Sequence, residues 1–299
     1  MTGLLYLLLA AAQQPVTFEA RIEAVYVDAF VTRKGVSITG LTASDFELKD
    51  NGIRQQVELA AVDAVPVSAV LVLDTSGSVV GETLASLQIA GRAFLDGLRH
   101  GDDATLLTFS HEIRRQVPPT RDLAEVRRGL NGLVAAGQTA LWDAIYAGLK
   151  TPVGRTRAML IVFTDGQDNL SVLSEEDVLT VAVESDVLVH VVGLSGGKAS
   201  SLFQPKAPDR IPPRPGEPDN VRALRRVAEA TGGRFWEATS PSRLRDAFAA
   251  ILESMKTRYV LRYEPEGVVR EGSHRVEVWL RGGQGEVRAR RAYTVVPGR

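Results

Sequence analysis

Val67-Ser68-Ala69-Val70-Leu71-Val72-Leu73-Asp74-Thr75-Ser76-Gly77-Ser78 is the stretch that decides the fold. Its first seven residues are an apolar run broken only at Ser68, the pattern of a parallel strand buried on both faces. The run ends in an oxygen-rich loop, and a helical pattern follows, with Leu84, Leu87, Gly91, Phe94 and Leu98 three or four residues apart. The same alternation continues outward. Strands are predicted over 104–109, 158–164, 187–193 and 234–237, and helices over 123–133, 141–149, 175–184, 221–230 and 241–255. Strands separated by helices predict an α/β fold: a Rossmann-like, doubly wound parallel sheet with helices on both faces. Residues 195–219 break the pattern with six prolines and read as an irregular loop.

On either side of 66–256 the period changes to two. Phe18, Ala20, Ile22 and Ala24 alternate with polar residues, as do Tyr259, Leu261 and Tyr263, and then Val276, Val278 and Leu280. Arg33-Lys34-Gly35 and Asp50-Asn51-Gly52 are turn signals, and the Asn-Gly pair favours a type I′ hairpin. Gly282-Gly283-Gln284-Gly285 leads into a last strand over 286–296. Neither flank, 13–65 or 257–299, has enough strands to cover its own edges, so the two are expected to combine into one β-sandwich of about seven strands. The α/β domain of residues 66–256 would then be inserted into it.

The chain has 299 residues, above the roughly 100–150 of one typical domain. Its 35 Lys+Arg against 36 Asp+Glu leave a net charge of −1, which removes the electrostatic case for a nucleic-acid partner. No cysteine is present, which excludes disulfides, thiolate metal sites and cysteine nucleophiles. Leu4 to Ala12 is apolar throughout, far short of the roughly 20 residues a spanning helix needs. It fits the h-region of a signal peptide over residues 1–12, with Ala10-x-Ala12 at the cleavage site, although Met1-Thr2-Gly3 lacks a basic side chain. The alternative is a buried first strand or helix. Export to the periplasm, envelope or medium is the expectation, with no transmembrane segment in the mature chain.

Three oxygen-bearing segments fall at the carboxyl ends of strands or at the start of a helix: Asp74-Thr75-Ser76-Gly77-Ser78, Gly137-Gln138-Thr139-Ala140 and Thr164-Asp165-Gly166. Open α/β sheets bind ligands in that crevice. With only four histidines in the chain, a metal there would take oxygen ligands, as Mg²⁺, Mn²⁺ or Ca²⁺ do. A D-x-S-x-S motif by itself is weak evidence, since Ser78 also suits a helix cap. Asp143 reads as a hydrogen-bonding residue of its helix or loop. Asp168 and Asn169 read as solvated, and Trp142, Trp236 and Trp279 as core or half-buried aromatics.

Residues 66–256 resemble a von Willebrand factor A domain, and the three loops resemble its metal-ion-dependent adhesion site. Asp74, Ser76 and Ser78 match the family's D-x-S-x-S motif, Thr139 its separate threonine and Asp165 its distal aspartate. Leu107-Thr108-Phe109-Ser110, Ala140-Leu141-Trp142-Asp143-Ala144-Ile145 and Thr231-Gly232-Gly233-Arg234-Phe235 resemble further family blocks. Including Leu41-Thr42-x-x-Asp45-Phe46 and Arg258-Tyr259-Val260-Leu261-Arg262-Tyr263, the chain is similar to exported proteins of the VWFA-related acidobacterial family. Gln138 departs from the pattern, standing where a second glycine is frequent.

The resemblance implies a Mg²⁺ or Mn²⁺ site that takes a carboxylate from a protein partner, hence an exported adhesion module without catalysis. Two alternatives stand beside it: a structural envelope module with a vestigial metal site, and a phosphatase resembling the haloacid dehalogenases. The phosphatase pattern needs a second Asp as general acid where this chain has Ser76. Neither a Gly-x-Ser-x-Gly elbow nor a P-loop is present.

Overall fold

Strands β1 (Val25–Arg33), β2 (Val36–Ser37), β3 (Phe46–Asp50), β4 (Ile53–Gln55) and β5 (Glu58–Ala60) open the described chain. The computed structural model describes residues 24–34, 36–61, 66–152, 157–185, 187–194, 219–269, 271–283 and 285–295. The apolar run 4–12, the alternation before residue 24 and nearly all of the proline-rich segment 195–219 lie outside these residues.

The α/β layer follows in chain order: β6 (Val67–Asp74), α1 (Glu82–Asp96), β7 (Asp103–Phe109), β8 (Ile113–Thr120), α2 (Leu123–Asn131), α3 (Leu141–Leu149), β9 (Arg157–Thr164), α4 (Glu175–Glu184), β10 (Leu188–Leu194), α5 (Asp219–Ala230), β11 (Arg234–Ala238) and α6 (Pro241–Lys256). Its six-stranded sheet runs β11-β10-β9-β6-β7-β8 and is parallel except for β8. The expected doubly wound sheet is therefore present. Alternate residues of β6 serve two cores. Ala69, Leu71 and Leu73 pack with α1, α2 and α6, while Val70 and Val72 pack with α3, α4 and α5. This two-sided burial is why the strand reads as an apolar run rather than as an alternation.

Sequence periodicity places no element over 113–120, yet β8 pairs antiparallel with β7 there. The strand carries Arg114, Arg115, Pro118 and Pro119, and only Val117 is buried. It lies at the sheet edge, where proline's missing N–H breaks no ladder and charges face water.

The chain ends with β12 (Tyr259–Tyr263), β13 (Gly272–Leu280), β14 (Glu286–Arg288) and β15 (Ala292–Val295). These strands interleave with the first five. One sheet runs β14-β1-β12-β5, with β2 also on β1, and the other runs β15-β13-β3-β4. Buried residues from both flanks, among them Val27, Phe46, Leu48, Leu261 and Tyr293, form one apolar cluster. At the β3–β4 hairpin, Asn51 has φ 46° and Gly52 φ 82°, as a type I′ turn requires. The single last strand expected over 286–296 is instead two. β14 joins β1 and β15 joins β13, so the chain crosses from one sheet to the other between them.

The flanks meet the α/β layer through buried charge. Arg157, at the start of β9, donates from Nε to Asp28 Oδ1 of β1 at 2.9 Å. Arg258, between α6 and β12, is buried with its guanidinium 5.6 Å from the Phe30 ring centre.

Candidate metal centre

Strand order reverses around β6, which lies between β7 and β9, and the carboxyl ends of these strands carry the oxygen-rich loops. Asp74 is the last residue of β6 and is 0% exposed. It therefore lies on the floor of the site. Its Oδ1 accepts from the Ser76 backbone N–H at 2.8 Å and from Ser76 Oγ at 2.6 Å. Ser76 Oγ is 3.0 Å from Ser78 Oγ, so the three motif side chains form one hydrogen-bonded series. Ser78 sits in a 3-10 turn, Gly77–Val79, and helix α1 begins only at Glu82 behind Gly81, so Ser78 is not the cap of that helix.

Thr164, the last residue of β9, donates from Oγ1 to Asp74 Oδ2 at 3.1 Å and accepts from the Gly166 N–H at 3.0 Å. Asp165 follows, half-buried, and its Oδ1 accepts from Gln167 N at 3.0 Å. Burial pushes the Asp74 carboxyl up to about 6 against the lowering effect of the Ser76 bonds, and the nearby Asp165 charge adds to the rise.

The third loop is attached by backbone. Gly77 N donates to Gly137 O at 2.9 Å, and Ala136 N donates to Thr75 O at 2.8 Å. Gly137 has φ +89°, and a Cβ there would lie 2.4 Å from His111 Nδ1. The left-handed backbone therefore calls for glycine, and a Cβ would also displace the exposed His111 ring. Thr139 is buried, with its N–H donating to Asn169 Oδ1 at 2.9 Å and its carbonyl accepting from Asn169 N at 3.0 Å.

Asp168 and Asn169, expected as solvated, are exposed but bonded. Asp168 Oδ1 accepts from Leu141 N at 2.9 Å and from Ser171 Oγ at 2.6 Å, capping α3 from another loop. Together with Asn169 it fixes Thr139 against the loop of Asp165. No local pattern announces this, because the bonded residues are 27 and 30 positions apart. Thr164 stands in one of the oxygen-bearing segments, but its bond to Asp74, 90 positions away, leaves no spacing to read. Asp143 behaves as expected, accepting from Val172 N at 3.0 Å and Leu173 N at 2.9 Å. The three tryptophans are half-buried.

The five residues singled out by sequence, two carboxylates and three hydroxyls, thus lie on three loops bonded to one another, with Asp74, Ser76 and Ser78 in one series and Asp165 near Asp74. Among the described residues no cluster of three His, Cys, Asp or Glu occurs, so a metal here would depend on hydroxyl oxygens. Residues 69–167 match the von Willebrand factor type A domain profile, a span from β6 through Asp165. A solved von Willebrand factor type A protein from Catenulispora acidiphila is similar to 90% of this chain over 79% of its own, at 14% identity and TM-score 0.53. Proximal thread matrix protein 1 of the mussel byssus is similar to 70% of the chain over 50% of its own, at 14% identity and TM-score 0.52. An uncharacterised Synechocystis protein is 28% identical over 138 residues, 43% of this chain. The match spans about a third of that relative's length, 32%.

Proposed function

We propose that this chain, which carries a von Willebrand factor type A domain, is an exported, metal-dependent protein-binding module. One observation carries the reading. Asp74 is a fully buried carboxylate whose described hydrogen-bond donors are hydroxyls and an amide, with a second carboxylate, Asp165, beside it. Burying such a charge is costly unless a positive charge answers it. An all-oxygen donor set suits a hard dication, Mg²⁺ or Mn²⁺.

Asp74, Ser76, Ser78, Thr139 and Asp165 would hold the ion. When bound, it would offer a Lewis-acidic vertex to a carboxylate from the partner. The chain's own residues keep the loops in place: Thr164 orients Asp74, Asn169 orients Thr139, and the Gly77–Gly137 bond joins the first loop to the third. The module binds rather than catalyses in this reading: the Ser76 hydroxyl beside Asp74 would serve as a metal ligand and not as a nucleophile. The apolar run 4–12 supports export to the periplasm, envelope or medium. Among the described residues no helix is long and apolar enough to cross a membrane.

Calorimetric titration with Mg²⁺ and Mn²⁺, together with capture from the native envelope fraction with and without EDTA, tests the reading. Asp74→Ala should raise the metal dissociation constant at least about a hundredfold and abolish EDTA-sensitive capture, while circular dichroism shows that the variant is still folded. EDTA-sensitive capture of the same protein by the variant would overturn the site assignment. Metal binding without any metal-dependent partner would favour the structural module with a vestigial site.

A further inference from the structure

The loops that carry the site also carry apolar side chains for which the core has no use. Val134 is 80% exposed, Val172 91%, Val80 56% and Leu170 41%. In each loop the neighbours point inward. Leu133 and Ala135 pack into the core beside α1 and α2, Val79 is buried, and Leu173 packs beside α3 and α4. The exposed residues are therefore placed outward by the same backbone that anchors the loops.

Their positions relative to the site follow from hydrogen bonds. Val80 lies two residues after Ser78, and Val134 two residues before Ala136, whose N–H is bonded to Thr75 O. Leu170 N donates to Thr139 O at 3.1 Å, and Val172 N donates to Asp143 Oδ2 at 3.0 Å. All three loops thus contribute to an apolar rim around Asp74, Ser76, Ser78, Thr139 and Asp165. Single exposed apolar residues are ordinary on a protein surface, but a cluster around a polar site marks a binding surface.

The charge of the same loops narrows the occupant. Segments 75–81, 132–140 and 166–174 contain no Lys or Arg, and Asp168 is their one charged residue. With Asp74 and Asp165 beneath, every formal charge in these loops is negative. A strongly acidic tract would find carboxylates in these three loops to repel it, with the basic side chains His111 and Arg114 lying on the adjoining β7–β8 hairpin beside Glu112. A segment with one carboxylate between apolar neighbours would meet the ion with its charge and the rim with its flanks.

We infer that the partner segment presents a single acidic residue flanked by apolar side chains, which pack on Val80, Val134, Leu170 and Val172. This rests on the metal-dependent binding proposed above and adds the partner's chemistry to it.

The probe is an immobilised peptide library with one central Asp or Glu among randomised neighbours, offered to the full chain in Mg²⁺ and in EDTA. Apolar residues should be enriched beside the carboxylate in the Mg²⁺-dependent pool. For a peptide chosen from that pool, the double variant Val134→Ser/Val172→Ser should weaken binding roughly tenfold or more, since each removes apolar surface from the contact. Its Mg²⁺ affinity should be unchanged, because neither side chain is a ligand, and both are exposed, so folding is spared. EDTA-sensitive capture without apolar enrichment, or unaffected by the double variant, overturns the rim and leaves the metal reading standing. Capture insensitive to EDTA and to Asp74→Ala overturns the metal reading. No capture in either condition overturns both.

Discussion

Two fully buried aspartates, Asp74 in the α/β layer and Asp50 in the flanking sheets, are held in opposite ways. Asp74 is bonded to Ser76, two residues on, and to Thr164, with Asp165 nearby. Asp50 ends β3 and is enclosed by donors from the far end of the chain. Tyr263 Oη donates to Oδ2 at 2.9 Å and Tyr293 Oη donates to it at 2.7 Å, while His274 Nδ1 lies 2.8 Å from Oδ1. The His274 ring stacks on Tyr293 at 4.4 Å between centres. Burial pushes both tyrosines well above the usual phenol range, which keeps their protons on oxygen as donors. Each carboxylate accepts three bonds, Asp74 from its own loop and the end of β9, Asp50 from strands near the far end of the chain. Burial alone therefore does not mark a functional acid; what separates the two is the second carboxylate, Asp165, beside Asp74.

The largest effect should come from breaking the self-satisfied group. Asp50→Ala leaves two hydroxyls and an imidazole buried without their acceptor, and should cost about 3–5 kcal/mol in chemical denaturation. The loss should be local. Amide exchange should quicken in β1, β3, β12 and β13, while Mg²⁺ binding through Asp74 survives in the chain that remains folded. Because these strands come from both flanks, the same experiment tests whether 13–65 and 257–299 make one folded unit. Protection lost in β3 but kept in β12 and β13 would separate them.

A third buried titratable group sharpens the contrast from the side of pH. His190 on β10 is buried with Nε2 unbonded, and burial, then the Arg258 charge, hold its pKa down to about 3 from 6.5. The unfolded chain takes up this proton below about 6.5 whereas the folded chain does not, so this contribution is intact at neutral pH and declines as pH falls toward 3. The loss should reach about 2–3 kcal/mol by roughly pH 4.5, at about 1.4 kcal/mol per unit. His190→Gln should flatten that slope relative to the wild type; parallel pH profiles would refute the assignment.

The smallest expected effect probes how far the proposed site depends on its supports. Asn169→Ala removes the acceptor for the Thr139 N–H and should weaken Mg²⁺ binding about tenfold, with little change in melting temperature. An unchanged dissociation constant would mean that Thr139 needs no such support.

Much of this molecule is legible in its residues. The apolar run 67–73, the helical spacings after it and the Asn51-Gly52 turn all report on local backbone, and local backbone follows from periodicity and positive-φ residues. The D-x-S-x-S loop is equally local, since Ser76 reaches Asp74 two residues away. The β8 edge was hidden because its prolines and arginines suit a strand only where one side has no neighbour, and sequence does not say which strand is outermost.

What the chain's order of residues determined by itself was therefore the type of each strong element and the oxygen chemistry at the strand ends. Tertiary structure alone decided which distant groups complete it: Asn169 behind Thr139, Thr164 beneath Asp74, and Tyr263, His274 and Tyr293 around Asp50, the last three 213 to 243 residues away. The physical reason is the range of the forces that write each signal. Backbone preference and amphipathic period act over a few residues and leave a pattern in them. A hydrogen bond across the fold needs only that two groups arrive at the same place, and it leaves no spacing behind to read.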